Sequence, residues 1–128
     1  MPKQDEIKYT KTHEWIFVEG ENATLGISEH AQGEMGDVVF VELPKIDQKL
    51  EKEKTCAVVE SVKSAFDIYA AASGNVTAIN DKLEDDPALI NTSSLEEGWM
   101  YKIKLTNPDD LKNLMDFAAY QEFVKQSA

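Results

Sequence analysis

The sequence predicts a mainly β protein, a small barrel or sandwich with short helices in its connections and a helical C-terminus. Two observations lead to this fold class. Short runs of β-forming residues recur between turn residues, and helical periodicity is weak until the last segment. A chain of 128 residues, of which 42% are hydrophobic, suffices for one core. With no linker or low-complexity stretch, we expect a single domain over 1–128.

Seven segments have the composition and length of strands. They are 15–19, 23–27, 38–43, 55–60, 66–70, 75–79 and 99–105. The first two flank Gly20, Glu21 and Asn22, which are turn-compatible residues, so they predict a hairpin. A second hairpin is predicted around 61–65. Pro44 ends the third strand because proline cannot donate to a sheet ladder.

Helices are predicted only in connections and at the C-terminus. Ser28 can cap a short turn that ends near Gly33. Asp86 followed by Pro87 resembles an N-cap and first helical position, which predicts one turn over 86–90. A C-terminal helical region should begin at about 107, where a proline follows an asparagine. Aromatic and aliphatic residues at 117, 120 and 124 then predict an amphipathic helix packed on the sheet.

The charge balance indicates the classes of partner. Thirteen Lys and Arg face 24 Asp and Glu, a formal net charge of −11, which repels a nucleic-acid backbone. Nucleic acid is therefore not an expected partner. An acidic surface suits transient docking on basic patches of larger proteins, although it also serves solubility alone.

The N-terminus and the single cysteine indicate the compartment. No apolar signal region and no run of roughly 20 apolar residues occurs, so we expect neither secretion nor membrane insertion. Cys56 has no partner for an internal disulfide, which fits a reducing compartment. The N-terminal segment is not Arg-rich, as a mitochondrial transit peptide would be. These features favour a bacterial-type cytoplasm, with the mitochondrial matrix possible only for a processed form.

No catalytic or metal site is predicted. His13 and His30 lie in unrelated segments without zinc-ligand spacing. The acids of 81–86 do not match a calcium-binding loop, and a solvated charged loop is expected there. Cys56 lies in an apolar strand pattern and is predicted to be a buried, inert thiol. A small thiol enzyme using Cys56 would need a lowered pKa and an adjacent base, and the sequence indicates neither.

Lys63 lies in the loop of the second predicted hairpin. A prosthetic group attached through an amide needs an amine that a modifying enzyme can reach, and a tight hairpin presents one in a fixed orientation. Amide formation removes the charge of the ammonium, so the fold should not depend on it. An ordinary solvated turn lysine would have the same local pattern, and the hairpin alone does not distinguish the two.

An ordered set of motifs makes the sequence resemble the glycine cleavage H proteins. The set covers nearly the whole chain: His13-Glu14-Trp15, Gly26-Ile27, His30-Ala31-Gln32, the run from Gly36-Asp37 to Leu43-Pro44, Glu60-Ser61-Val62-Lys63, Ser73-Gly74, Leu89-Ile90-Asn91 and Gly98-Trp99-Met100. Each motif alone is weak, and their order and spacing together are specific.

The resemblance implies a barrel-sandwich hybrid fold of the lipoyl- and biotinyl-carrier type, with lipoate joined to Lys63. Biotin is disfavoured because Lys63 lacks flanking methionines. It also implies that Glu60 and Gly74 lie where a lipoate-protein ligase or an octanoyl or lipoyl transferase recognises its target. In the family, the lipoyl-lysine side chain, or arm, docks on its own protein when it is loaded with an aminomethyl group. Thr12, Glu14 and Asp67 match that docking region, and we expect an acidic, hydroxyl-lined groove there.

The function implied by the resemblance is that of a non-enzymatic lipoyl carrier. The carrier takes an aminomethyl group from the pyridoxal-phosphate glycine decarboxylase and presents it to the folate-dependent aminomethyltransferase. Dihydrolipoamide dehydrogenase then reoxidises the remaining dithiol of the lipoyl group. An alternative within the same fold is an H-like relay that supplies lipoyl groups to 2-oxoacid dehydrogenases or serves another redox partner. Phe66, which replaces a small polar residue of the family, keeps that alternative open.

Three further departures from the family pattern concern turns and a strand. Asp47 and Glu53 stand where the family usually has turn glycines, and Ala71 where proline is common. Aspartate tolerates a left-handed backbone better than glutamate does. The sequence leaves open whether these loops keep that backbone or are rebuilt. It also leaves open whether Phe66 lines the docking groove or obstructs it.

Overall fold

The computed structural model describes residues 6–127, and this part of the chain is mainly β, as predicted. The strands are β1 Lys8–Tyr9, β2 Glu14–Glu19, β3 Asn22–Ile27, β4 Val38–Glu42, β5 Lys49–Leu50, β6 Thr55–Ser61, β7 Ala65–Tyr69, β8 Gly74–Ile79 and β9 Tyr101–Leu105. The helices are α1 Glu29–Met35, α2 Lys82–Asp85, α3 Leu89–Thr92, a 3₁₀ helix over Pro108–Leu111 and α4 Phe117–Ser127.

The strands form two antiparallel sheets that share one core. The six-stranded sheet has the order β1-β2-β3-β9-β8-β5, and the three-stranded sheet has the order β4-β6-β7. Both predicted hairpins are confirmed, β2 with β3 and β6 with β7. Each sheet turns one face toward this core, although several strands bury consecutive residues, as β2 does at Glu14, Trp15 and Ile16. Leu25 and Ile103 from one sheet and Val59 and Ile68 from the other are all buried in the main cluster.

The C-terminal helix packs on the sheet as its periodicity predicted. Tyr120 is buried and stacks on Tyr9 with ring centroids 4.4 Å apart and planes 6° apart. Ile7 and Trp15 complete this second buried cluster. The side chain of Asp116 caps the helix by accepting a hydrogen bond from the backbone N–H of Ala119 at 2.8 Å. Helix α4 is therefore fixed against the edge of the six-stranded sheet that β1 forms.

Several predicted element boundaries were wrong. Strands β1 and β5, two residues each, were not predicted because so short a pattern cannot be distinguished from a loop. Ser28 does cap α1, accepting from Ala31 N–H at 3.1 Å, but α1 continues past Gly33 to Met35. It stops at Gly36, whose φ of 78° breaks the helix.

The other helical connections also differ from the prediction. Helix α3 begins after Ala88 instead of Asp86, with no side-chain cap. The segment expected to be a charged loop forms the single turn α2, held by the buried Leu83. At 107 the chain forms only a 3₁₀ turn, in which Asn107 accepts from the N–H of Asp109. The capping residues Ser28 and Asn107 were identified correctly, whereas the cap at Asp86 and the helix lengths were not.

The loops at Asp47 and Glu53 keep the left-handed backbone without glycine. Their φ angles are 72° and 70°. Each is held by a backbone hydrogen bond to the neighbouring strand segment, from Asp47 N–H to Val76 O at 2.8 Å and from Glu53 N–H to Ala70 O at 2.9 Å. These ties keep both residues in a conformation that costs a residue with a Cβ on the order of 1–2 kcal/mol.

Candidate functional site

Lys63 stands at the tip of the β6–β7 hairpin, where the sequence placed it. Ser61 ends β6 and Ala65 begins β7. The turn is closed by a hydrogen bond from Ser61 N–H to Ser64 O at 2.8 Å, and Ser61 Oγ accepts from the N–H of Lys63 at 3.1 Å. The backbone under Lys63 is thus fixed while its side chain remains exposed.

The side chain of Lys63 lies across the C-terminal end of α1. Its ammonium donates a hydrogen bond to the carbonyl oxygen of Glu34 at 3.2 Å. A methyl group built on Gly36 would lie 3.5 Å from Lys63 Cε. Such a methyl group would make only an ordinary van der Waals contact, so the positive φ that ends the helix, and not space for the lysine, is what favours glycine at Gly36.

A groove of about 480 Å³ begins at this end of α1. Its apolar lining is Ile27, Ala31, Met35, Phe66, Ile68 and Val124, and its polar lining is Thr12, His13, His30, Glu34 and Asp67. Because Glu34 both lines the groove and accepts from Lys63, the amine lies at the mouth of the groove. Phe66 is partly buried and packed against the main core, so it forms part of the wall.

The three residues expected to dock a loaded arm do not line one groove. Thr12 and Asp67 line the groove beside Lys63, whereas Glu14 lines an adjacent cavity of about 610 Å³. Thr12 lines both and so separates them. More than half of the residues lining the Lys63 groove are apolar, which makes it less acidic and less hydroxyl-rich than expected.

Glu14 is 2% exposed, so it is not a surface acid. Its carboxylate accepts hydrogen bonds from the hydroxyls of Thr10, at 2.7 Å, and Thr12, and from the N–H of Tyr69 at 3.4 Å. Burial raises the pKa of Glu14, and the two threonine hydroxyls act in the opposite direction by stabilising the charged form. The acid lies directly behind Thr12, with one oxygen accepting only a single long bond.

Two histidines that sequence reasoning placed in unrelated segments meet in the groove. The rings of His13 and His30 are 4.9 Å apart. His13 has a left-handed φ of 73°, and its Nδ1 shares a 2.7 Å hydrogen bond with the hydroxyl of Tyr120. Burial, and then the neighbouring His30, lower the pKa of His13. The sequence signal for this pair was their membership of two of the family-like motifs.

The two residues expected to guide lipoate attachment have different environments. Glu60 is exposed on β6, directly across the sheet from Phe40 on β4. Gly74 is buried and is the first residue of β8. A methyl group there would lie 2.5 Å from the carbonyl oxygen of Lys104. The absence of a side chain at Gly74 therefore allows β8 and β9 to pair closely.

Cys56 is a buried thiol, as predicted. Burial raises its pKa to about 11, and its Sγ donates to the hydroxyl of Tyr101 at 3.3 Å. Such a thiol is almost entirely protonated at neutral pH and is not a nucleophile. Within residues 6–127, no three His, Cys, Asp or Glu side chains are placed to hold a metal ion. None of the helices described is both long and apolar enough to cross a membrane.

Comparison with known proteins identifies the family. The family model described as glycine cleavage H-protein matches residues 7–127. The chain belongs to the glycine cleavage H-protein family. It is 50% identical over 117 residues to the glycine cleavage system H protein of Methylacidiphilum infernorum, covering 91% of each chain. It is 46% identical over 119 residues to that of Thermotoga maritima, covering 93% of this chain and 96% of the relative.

A solved structure of the same family confirms the fold class. The crystal structure of a glycine cleavage system H protein from Mycobacterium marinum superposes with a TM-score of 0.84 at 32% identity. The match covers 99% of this chain and 98% of the other. The fold is a mainly β barrel-sandwich hybrid with short helices and a helical C-terminus. H proteins are the lipoyl carriers of the glycine cleavage system, and they work with its other components.

The residues present fit a lipoyl group. An exposed primary amine stands on a fixed turn, and a groove with an apolar wall begins at the carbonyl oxygen that the amine contacts. The apolar wall suits a hydrocarbon chain and a dithiolane ring, while Thr12 and Asp67 offer polar contacts in the same groove.

Proposed function

We propose that Lys63 carries lipoate in amide linkage and that this domain serves the glycine cleavage system as a carrier without enzymatic activity of its own. The single observation that carries the proposal is the contact of Lys63 Nζ with Glu34 O, 3.2 Å away at the mouth of the groove. Any group attached to this amine begins where the groove begins.

When attached, lipoate would supply the redox and group-carrying chemistry by which the domain would serve glycine decarboxylase, aminomethyltransferase and dihydrolipoamide dehydrogenase in turn. The chain's own residues supply position. After amide formation the Lys63 nitrogen keeps one N–H, which can still donate to Glu34 O. Met35 and Phe66 exclude water from one side of the arm, and the carboxylate of Asp67 can pair with a cationic amine.

Thr12 and Glu14 act together in this proposal. The Thr12 hydroxyl reaches the groove and donates to the buried Glu14 carboxylate. When the cationic amine of a loaded arm binds in the groove, rotation of the Thr12 side chain lets the Glu14 carboxylate interact with that amine. In this proposal Glu14 acts on the groove through Thr12, from the adjacent cavity that it lines. Charge-assisted hydrogen bonds of this kind contribute on the order of 1.5–3 kcal/mol.

Attachment of the group is assigned to a lipoate-protein ligase or an octanoyl or lipoyl transferase. Glu60 is accessible to such an enzyme, whereas Gly74 acts through the strand pairing that holds β8 in place. The proposed compartment is the bacterial cytoplasm, or the mitochondrial matrix for a processed form.

The experiment that tests this function loads the purified carrier with glycine decarboxylase, pyridoxal phosphate and glycine. Parent, Lys63→Arg and Lys54→Arg chains are first treated with lipoate-protein ligase, and intact mass is recorded before and after loading. Lys54 is the matched control because it is also an exposed lysine beside a β-turn. We expect the mass increase from lipoylation and the mass increase from loading in the parent and in Lys54→Arg, and neither increase in Lys63→Arg. A loaded Lys63→Arg chain would refute the proposal.

A further inference from the structure

Four large apolar side chains in the described part of the chain are more than half exposed, and three of them cluster near Lys63. The three are Val39 at 55%, Phe40 at 52% and Val62 at 67% exposed. The fourth, Ile46 at 56%, lies in the loop before β5. Exposed apolar side chains are ordinary when single, but a cluster beside a modified residue points to a docking surface.

The pairing of β4 with β6 brings these side chains together. Val38 pairs with Ser61 and Phe40 with Glu60, with a β-bulge between them. In a regular strand, one of the two consecutive residues Val39 and Phe40 would face the core. The bulge turns both toward solvent.

Val62 joins this surface through the backbone. Its N–H donates to Asp37 O at 3.0 Å, and its Cγ2 lies 3.8 Å from the position of a methyl group built on Gly36. The side chains of Val62 and Lys63 therefore both lie beside Gly36, between the end of α1 and the start of β4. We call Val39, Phe40 and Val62 the tip patch.

From this surface we infer that the tip patch is the docking site of the enzyme that attaches lipoate to Lys63, an inference that rests on the proposed function. An attaching enzyme must bring its active site to the lysine amine itself, so its surface must cover Val62. The enzymes that act on the sulfur atoms work at the far end of the arm and need not touch the tip.

The size and rim of the patch favour this occupant over a second copy of the chain. A stable dimer interface uses roughly 20–30 residues a side, far more than three side chains, whereas a transient enzyme encounter uses a smaller surface. The exposed carboxylates of Asp37, Glu42 and Glu60 surround the patch. A second copy would present the same acids and be repelled. The complementary partner surface is an apolar pocket with Lys or Arg at its edge, which steers encounter with an acidic carrier.

The test measures lipoylation kinetics on four apo chains: the parent, Phe40→Ser, Val62→Ser and Ile46→Ser. Lipoate-protein ligase transfers the lipoyl acyl group from lipoyl-adenylate to Lys63 Nζ, with release of AMP and a proton, and intact mass follows product. Ile46→Ser is the matched control because Ile46 is as exposed as Phe40 but lies away from the hairpin. Thermal unfolding of each variant checks that the core is intact.

We expect Phe40→Ser and Val62→Ser each to raise KM for the apo chain on the order of tenfold, since each loses apolar burial at the interface. The kcat should stay unchanged, and Ile46→Ser should match the parent. Once fully lipoylated with excess ligase, all four chains should react with dihydrolipoamide dehydrogenase at the same rate.

Four outcomes would overturn the inference. Unchanged KM in Phe40→Ser and Val62→Ser, with a normally lipoylated parent, would refute the tip patch alone. An equal loss of rate with dihydrolipoamide dehydrogenase would show that the tip patch is not specific to the attaching enzyme. A parent that dimerises, with a monomeric Phe40→Ser variant lipoylated normally, would assign the patch to self-association. A parent that accepts no lipoyl group refutes the proposed function as well.

Discussion

The ammonium of Lys63 donates to the carbonyl oxygen of Glu34 at 3.2 Å, which connects the hairpin tip to the end of helix α1. The other end of α1 is capped by Ser28, whose hydroxyl shares a 2.7 Å hydrogen bond with Tyr120 of the C-terminal helix. Helix α1 thus lies between Lys63, the proposed attachment point, and Tyr120 of the second buried cluster. The position of the arm's origin depends on how α1 ends.

The end of α1 can be tested at its two glycines. Gly36→Ala should lower the free energy of unfolding by about 1–3 kcal/mol, because a residue with a Cβ is strained at φ 78°. Gly33 is the matched control: it lies inside α1 with no atom within 4 Å of a built methyl group. Gly33→Ala should raise stability by about 0.5–1 kcal/mol. Urea denaturation measures both changes, and equal effects would contradict this account of the helix end.

Gly74 is predicted to matter through strand pairing. Gly74→Ala puts a methyl group 2.5 Å from Lys104 O, a backbone atom that cannot rotate away. We expect the melting temperature to fall, with a loss of about 1–3 kcal/mol from overpacking. Lipoylation measured well below the new melting temperature should be slowed more than in Lys82→Ala, a surface control.

Two results would separate the roles of Gly74. Slow lipoylation of Gly74→Ala with unchanged stability would mean that the attaching enzyme contacts Gly74 directly. Equal lipoylation rates in Gly74→Ala and Lys82→Ala would mean that the geometry of this strand does not affect attachment.

Glu53 has a left-handed backbone conformation, although glutamate tolerates that conformation less well than residues with short polar side chains such as aspartate. Glu53→Gly should therefore raise the free energy of unfolding by about 0.5–1 kcal/mol, the strain relieved exceeding the extra backbone entropy of glycine. Asp47→Gly should give a smaller gain, because aspartate adopts this conformation more readily. Chemical denaturation of the two variants gives the comparison. A loss of stability in Glu53→Gly would show that its backbone is not strained.

The groove is predicted to protect a loaded arm. In water the arm's aminomethyl thioether can lose ammonia and formaldehyde, so docking should slow that loss. Glu14→Gln and Asp67→Asn each remove one negative charge from the groove or its back wall, and we expect ammonia release to be several-fold faster than in the parent. Glu96→Gln, an exposed acid outside both cavities, is the control. Identical decay in all four chains would show an unprotected arm.

The sequence predicted those parts of the molecule that local patterns determine. Alternation and turn residues were enough for both hairpins, and hence for the position of Lys63. The meeting of His13 with His30 and the burial of Glu14 were not predicted, because both arise when β2 packs beside α1 and β7. Nothing local in a two-residue strand such as Lys8–Tyr9 distinguishes it from a loop. Long-range packing decided each of these cases.

The family-like motifs found the attachment residue but not the shape of the groove. Thr12, Glu14 and Asp67 were named as a set from the resemblance, whereas the structure places Glu14 behind Thr12 in a second cavity. Whether a carboxylate is solvated or buried depends on neighbours from other strands, here Thr10 and the backbone of Tyr69. Residue identity alone carries no such information.

Lys63 is, in the proposed function, the one lipoylated residue. Intact-mass measurement of the protein purified from its native host, followed by peptide mapping of the modified lysine, tests it most directly. We predict a single lipoyl increment, located entirely on the peptide that contains Lys63 and absent from Lys63→Arg. A lipoyl group on any other lysine, or consistent absence of the increment in cells that make lipoate, would contradict the assignment.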